Sequence, residues 1–152
     1  MNDPVAYLRI AEGEPLPDLS GYAPYRAVVV IDAPYSPAWQ NRVSNWLVAT
    51  GCLYMMAWGE GCSSWDDSVD HANLEAFDYG DVPDDRFVMT TWHERDPLIG
   101  VFWFARFCAH DPFDLIEHSL IVHIGETDRG AEFLGLYEQA ETWVDPEEDE
   151  QS

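Results

Sequence analysis

The stretch Y-R-A-V-V-V-I at residues 25–31 decides how the rest of the chain has to fold. Val28, Val29, Val30 and Ile31 follow one another without the polar alternation of a half-exposed strand. Strands of this kind are buried on both faces, which is typical of parallel sheets covered by helices on both sides. The stretch therefore predicts a central strand of an α/β protein.

Three further apolar runs repeat this pattern: C-L-Y-M-M-A-W at 52–58, R-F-V-M-T-T-W at 86–92 and S-L-I-V-H-I at 119–124. Helical signals lie between them. Ser36-Pro37 combines an N-cap hydroxyl with proline at the first helical position, where its missing N–H costs nothing. Trp39, Val43, Trp46 and Leu47 then fall on one helical face, and Gly51 ends the helix.

Three more helices are predicted after this one. Ser63 or Ser64 caps the second, and Asp96-Pro97 repeats the cap-and-proline start for a helix at 98–109. That third helix is apolar nearly all round, which predicts burial. The last helix covers 132–139.

Alternating strands and helices with crossovers of about thirty residues favour repeated right-handed βαβ units. We expect an α/β fold with a three-layer open sheet and a mostly parallel four-stranded core, of flavodoxin-like or Rossmann-like type. The expected strand order is 2-1-3-4, with strands numbered along the chain from residue 25. Residues 1–24 form an N-terminal arm, in which 6–10 could add an edge strand; 25–142 form the single domain; 143–152 form a disordered acidic tail.

The charge of the chain is its most unusual property. Among 152 residues, 29 Asp and Glu face only seven basic residues, all of them Arg, and the formal net charge is −22. Such a surface repels nucleic-acid phosphates and anionic lipids, so we expect no nucleic-acid and no membrane partner. It attracts basic proteins. High acidity also arises as a general property of salt-adapted or high-GC proteomes, and the sequence leaves both origins open.

Several features argue against cofactors and export. Three Cys without C-x-x-C spacing predict neither a disulfide framework nor a zinc knuckle. The loop G-E-G-C-S-S at 59–64 is neither G-x-G-x-x-G nor a P-loop, so the sequence predicts no nucleotide cofactor and no metal. No signal peptide or spanning apolar run is seen, which predicts a cytoplasmic protein.

Polar residues follow the predicted strands at the edge where an open parallel sheet binds its ligands. Asp32 follows the strand at 25–31, Cys62 follows 52–58, and His93 and Glu94 follow 86–92. A thiol ahead of a helix and a histidine beside a carboxylate could act as nucleophile and general base. The alternative interpretation is therefore a small hydrolase or transferase with these four residues as its catalytic group.

The segment at 60–85 carries nine acids and no base, a concentration that suits a basic protein target. We expect its binding surface to include the following residues: Glu60, Asp66, Asp67, Asp70 and Asp78, with Trp58 and Trp92 at the adjacent strand ends flanking a planar ligand. The leading interpretation is a small acidic binding module of immunity, antitoxin-like or regulatory type that captures a basic protein.

Overall fold

The computed structural model describes residues 5–110 and 115–144, and the account below concerns these residues. Five strands form one parallel sheet: β1 (Val5–Ile10), β2 (Tyr25–Ile31), β3 (Cys52–Gly59), β4 (Met89–His93) and β5 (His118–Ile124). Four helices connect or follow them: α1 (Pro37–Ala49), α2 (Cys62–Glu75), α3 (Leu98–Phe107) and α4 (Gly130–Gln139). The predicted α/β class and the parallel pairing of the four predicted strands are confirmed.

The predicted strand order 2-1-3-4 is wrong. The observed order is β1-β5-β2-β3-β4, which places the strands predicted from residue 25 onward in the order 4-1-2-3, with β1 as a fifth strand beside β5. Crossovers through α1 and α2 carry the chain from β2 to β4 along one face. The return connection through α3 must then use the opposite face, and it inserts β5 between β1 and β2.

Two apolar clusters lie on opposite sides of the sheet. On one face α1 and α2 contribute Trp39, Leu47, Trp65 and Val69, all of them buried. On the other face Phe102 of α3 packs with Phe133 and Tyr137 of α4. Central strand β2 is buried along its whole length, as its sequence predicts.

The edge strand β4 departs from the expected buried strand at 86–92. Arg86 belongs to a short 3-10 turn, Asp84–Arg86, and Phe87 is exposed. The strand begins only at Met89, and its residues are half-buried or exposed because β4 pairs with β3 alone. Thr90, Thr91 and Trp92 give the run its β-propensity without making it central.

The helix ends agree in part with their predicted signals. The Ser36 hydroxyl accepts a hydrogen bond from the backbone N–H of Trp39 at 3.2 Å, so the predicted cap of α1 is confirmed. Helix α2 instead begins after Gly61, which has a φ of +73°, and neither Ser63 nor Ser64 caps it. The Asp96 side chain does not cap α3 either, because its carboxylate accepts a hydrogen bond from His93.

The edge strand considered at 6–10 is present, and the start of the predicted tail packs against the domain. Val5–Ile10 pairs with β5 in parallel register over its whole length. Trp143 packs against the ring of Trp103, with 6.3 Å between ring centroids, so the packed part of the chain extends to this residue. The rest of the predicted tail, 145–152, lies outside the described residues, as do 1–4 and 111–114.

Candidate functional site

The carboxyl edge of the sheet has its topological switch point between β2 and β5. Helix α1 follows β2 on one face, whereas α4 follows β5 on the other. The two connections therefore diverge and leave a gap above neighbouring strands, the place where open α/β sheets bind ligands. Asp32, one residue beyond β2, and His123 near the end of β5 meet there.

A chain of hydrogen bonds joins four residues at this switch point. The Tyr7 hydroxyl lies 2.6 Å from Nδ1 of His123, and Nε2 of His123 lies 3.0 Å from Oδ2 of Asp32. The Arg129 guanidinium reaches the same Asp32 oxygen at 3.1 Å, and the Arg129 backbone N–H donates to the Tyr7 hydroxyl at 3.0 Å. The chain therefore closes on itself through Arg129.

The donor and the acceptor of each hydrogen bond in this chain follow from which atoms can carry a proton. A carboxylate only accepts, so Nε2–H of His123 donates to Asp32, and Nδ1 is left to accept the Tyr7 hydroxyl proton. The Tyr7 oxygen in turn accepts from the Arg129 backbone. The His123 side chain is fully buried, and both of its ring nitrogens have a hydrogen-bond partner.

Charge and packing reinforce the arrangement. The hydrogen bond from His123, with the Arg129 guanidinium beside it, lowers the pKa of the Asp32 carboxyl. Arg129 also pairs with Glu132 and lies over the Phe133 ring. A side chain at Gly125 would collide with Nε2 of His123, so glycine is required where the chain leaves β5.

The four residues of the catalytic interpretation do not form one group. His93 shares a register row with Trp58 and Val30, which places it two strands, about 10 Å, from the end of β2. Its ring contacts Thr91, Asp96 and Phe104. Glu94 is exposed on the loop that follows. Asp32 is instead bound to His123 and Arg129.

Cys62 is the first residue of α2, and only 1% of it is exposed. Burial, with a smaller contribution from Glu94, raises the pKa of its thiol. A buried thiol with a raised pKa is a poor nucleophile. Its side chain belongs to the α1–α2 cluster, on the opposite face from His93.

Trp58 and Trp92 lie on opposite faces of the sheet, so the expectation that they flank one planar ligand is wrong. Trp92 is in register with Ala57, and Trp58, the next residue along β3, points the other way. Trp58 packs with the α3–α4 cluster and donates its indole N–H to the Asp96 carbonyl at 2.8 Å. Trp92, 48% exposed, lies on the side of α2.

The predicted acidic segment forms a surface beside β4. Asp67, Asp70 and Asp78 are exposed and Asp66 is half-buried, while Glu60 is exposed just before α2 begins. Asp70 accepts a hydrogen bond from the Thr90 hydroxyl at 3.1 Å, which joins α2 to β4. We call the following set the acidic face: Asp66, Asp67, Asp70, Leu74, Asp78, Tyr79 and Trp92.

Cavities lie at both edges of the sheet. One of about 440 Å³ lies at the amino-terminal edge and is lined in part by Thr50, Cys52 and Arg86. A cavity of about 350 Å³ lies beside His93, between Trp103 and Trp143. A smaller one of about 200 Å³ lies next to the switch point and contains Glu12, Ala33 and Gly125 in its wall.

Within residues 5–110 and 115–144, no three His, Cys, Asp or Glu side chains are grouped so that they could hold a metal ion. In the same part of the chain, no helix is long and apolar enough to cross a membrane. His71 and Glu75 of α2 are exposed and 3.8 Å apart, as expected of a solvated helix face.

Sequence reasoning missed Tyr7, His123 and Arg129 at the switch point. The alternation of His123 with apolar neighbours is typical of an ordinary strand residue. Tyr7 lies in the predicted arm. The available signal was Gly125-Glu126 directly after the strand, which marks the strand end where His123 emerges.

Fold and geometry together define an acidic, all-parallel, five-stranded α/β domain with a closed polar chain at its switch point and an acidic face at its β4 edge. Residues 5–140 match a family described as a domain of unknown function, DUF7684, and the chain belongs to that family. Neither the curated proteins nor the solved structures give a significant match.

Proposed function

We propose that this protein is a non-enzymatic binding module that captures a basic protein partner through the acidic face, in the manner of an immunity, antitoxin-like or regulatory protein. The observation that carries the proposal is the mixture of carboxylates and exposed large apolar side chains on one surface. Leu74, Tyr79 and Trp92 are 43%, 60% and 48% exposed and lie among Asp66, Asp67, Asp70 and Asp78. Aromatic anchors within a charged rim are typical of protein interfaces.

Backbone geometry supports the exposure of Tyr79. Asp78 and Tyr79 have φ values of +54° and +61°, in the left-handed region that non-glycine residues seldom occupy. The Tyr79 backbone N–H donates to the Leu74 carbonyl at 2.8 Å, and its hydroxyl contacts Nε2 of His71 at 3.2 Å. The backbone bond ends the helical segment after α2 in a left-handed turn, which holds Tyr79 outward.

Electrostatics favour a cationic partner. Burial raises the pKa of the Asp70 carboxyl, and the charges of Asp66 and Asp67 add to the increase. Like charges held this close repel one another, and an arginine or lysine from a partner relieves the repulsion. The outer edge of β4, the strand that contains Trp92, pairs with no other strand among the described residues and adds backbone donors and acceptors for the same partner.

A titration followed by NMR tests the proposal directly. Isotope-labelled protein is titrated with a hexa-arginine peptide at low and high salt. We expect the largest amide shifts in α2, the 78–79 turn and β4, and we expect them to fade with added salt because exposed charges are screened. Shifts spread evenly over α4 and the N-terminal strand would contradict a defined site.

A charge-matched pair of triple variants separates this site from general acidity. D66R/D70R/D78R should abolish the localised shifts. It should also slow association with any basic protein that a neighbouring gene encodes. E117R/E126R/E138R changes the net charge equally at three exposed positions near β5 and α4, and should leave the localised shifts in place. Equal losses in both variants would leave only non-specific attraction and would refute the proposal.

A second candidate, a small hydrolase or transferase, rests on the polar chain at the switch point, where Asp32 is 40% exposed beside Arg129. This candidate predicts that D32N abolishes function in a folded protein while D66R/D70R/D78R has no effect. That pattern, in an assay of binding or of cell protection, would replace the binding module with the enzyme.

A further inference from the structure

We propose that the cavity between α3 and Trp143 binds a small organic cation that carries a methylated ammonium group. This cavity is on the α3–α4 face of the sheet, and the acidic face is on the other. Binding of a small cation in this cavity is therefore independent of binding of a basic protein to the acidic face. Its volume of about 350 Å³ lies in the range of small-ligand sites.

The cavity has aromatic walls on several sides. Gly100, Trp103 and Phe104 are spaced i, i+3 and i+4, so α3 presents them on one face. Trp143 stands opposite, with its ring at 60° to that of Trp103 and 6.3 Å between the centroids. Rings at such angles offer two negatively polarised faces to one bound group, the arrangement that recognises quaternary ammonium ions.

One carboxylate supplies the charge. Asp96 lines the cavity and is 57% exposed. Nδ1–H of His93, whose side chain is 10% exposed, donates to Asp96 Oδ2 at 2.9 Å, and Thr91 contacts the other ring nitrogen at 3.0 Å. The Trp58 indole N–H donates a hydrogen bond to the backbone carbonyl of Asp96. Asp96 is therefore fixed at the mouth of the cavity.

The remaining lining explains why a cation is preferred to an anion or a neutral ligand. Among the described residues no Lys or Arg lines the cavity, and His93 already donates to Asp96. A trimethylammonium group has no N–H that needs a partner, and its methyl groups suit the rings. Gly100 leaves room for Trp143, because a β-carbon there would lie 3.1 Å from the Trp143 ring.

The test uses choline and its neutral carbon isostere, 3,3-dimethylbutan-1-ol, which share shape and differ in charge. Choline should bind saturably, shifting the indole N–H signals of Trp103 and Trp143 in NMR spectra. The isostere should bind about tenfold more weakly, because it lacks the cation–π and carboxylate attraction. Equal affinity for both, or no saturable shift with choline, would overturn the proposal.

Three variants complete the experiment. D96N should weaken choline binding several-fold and leave binding of the isostere unchanged, whereas W143L should weaken both. F87L removes an exposed aromatic ring outside both the cavity and the acidic face and should change neither. A thermal melt verifies folding of each variant, and G100A, which displaces Trp143, provides a second route if W143L is unstable. A D96N variant with unchanged choline affinity would contradict the role of the carboxylate.

A trimethyl-lysine peptide distinguishes two sources of the same head group. A free small cation is the proposed ligand, and choline should then bind at least as tightly as the peptide. If the peptide binds much more tightly than choline, the proposal of a small-molecule ligand is wrong and the cavity binds a methylated lysine side chain.

Discussion

Asp32 and His123, which are 91 residues apart in the sequence, are joined by a hydrogen bond of 3.0 Å between Oδ2 and Nε2. The bond closes the gap between β2 and β5 at the point where their following helices diverge. Tyr7 from β1 and Arg129 from the start of α4 complete the chain. Four separate parts of the sequence are therefore tied together at the carboxyl edge of the sheet.

This bond makes the stability of the protein depend on pH through Asp32. The pKa of Asp32 is lowered in the folded state, so its contribution is present above the unfolded value of about 3.9 and is lost as the pH falls through the folded value. We expect D32N to be less stable than the natural protein at pH 6, by no more than about 1 kcal/mol because the carboxylate is part-exposed.

Urea unfolding of both proteins from pH 3 to pH 7 measures this difference. The difference between the two proteins is the useful quantity, because the other carboxylates titrate equally in both. It should shrink as the pH falls below about 4. A difference that stays constant over this range would show that Asp32 has the same pKa folded and unfolded.

The half-buried Tyr7 hydroxyl should contribute to stability through two hydrogen bonds. Y7F leaves Nδ1 of His123 without its donor and the Arg129 backbone N–H without its acceptor. Removing one partner of buried polar groups costs about 1–3 kcal/mol. Y22F is the matched control, because the Tyr22 hydroxyl makes no hydrogen bond to the residues that the structure describes; it should stay within about 0.5 kcal/mol of the natural protein.

The three thiols should react at very different rates. Cys108 is exposed, whereas Cys52 and Cys62 are buried, and burial raises the pKa of Cys52 to about 12. With Ellman's reagent at pH 8 we expect one fast thiol, which C108S removes, and two that react only on unfolding. A fast reaction in C108S that C62S abolishes would instead favour the catalytic interpretation.

The two tryptophans Trp65 and Trp46 should differ in their contribution to stability. Trp65 is a fully buried residue of α2, and W65A should lower the free energy of unfolding by about 3–5 kcal/mol. The helical face that Trp46 shares with Trp39 predicts that both are buried. Trp39 is buried, but Trp46 is only half-buried and donates its indole N–H to the Pro17 carbonyl. W46F keeps the ring, loses this bond and should cost about 1 kcal/mol, measured by denaturant unfolding.

The sequence by itself determined the approximate positions of four strands and four helices of this protein. The run at 25–31 predicted a strand buried on both faces, and the Ser36-Pro37 start predicted α1 to the residue. These features depend on neighbours in the chain: side-chain branching, capping and apolar periodicity act over a few residues. The sequence also predicted the acidic surface at 60–85, because charged residues on a helix and loop remain in solvent.

Only the tertiary structure decided which strand ends meet. The predicted order would have placed β4 next to β2, but the return of α3 across the opposite face put β5 there and moved His93 to the far edge. His123 and Asp32 therefore pair, and His93 instead pairs with Asp96 beside Trp143. Strand order is fixed by how the helices divide between the two faces, and that division depends on packing across the whole sheet, which local sequence signals do not encode.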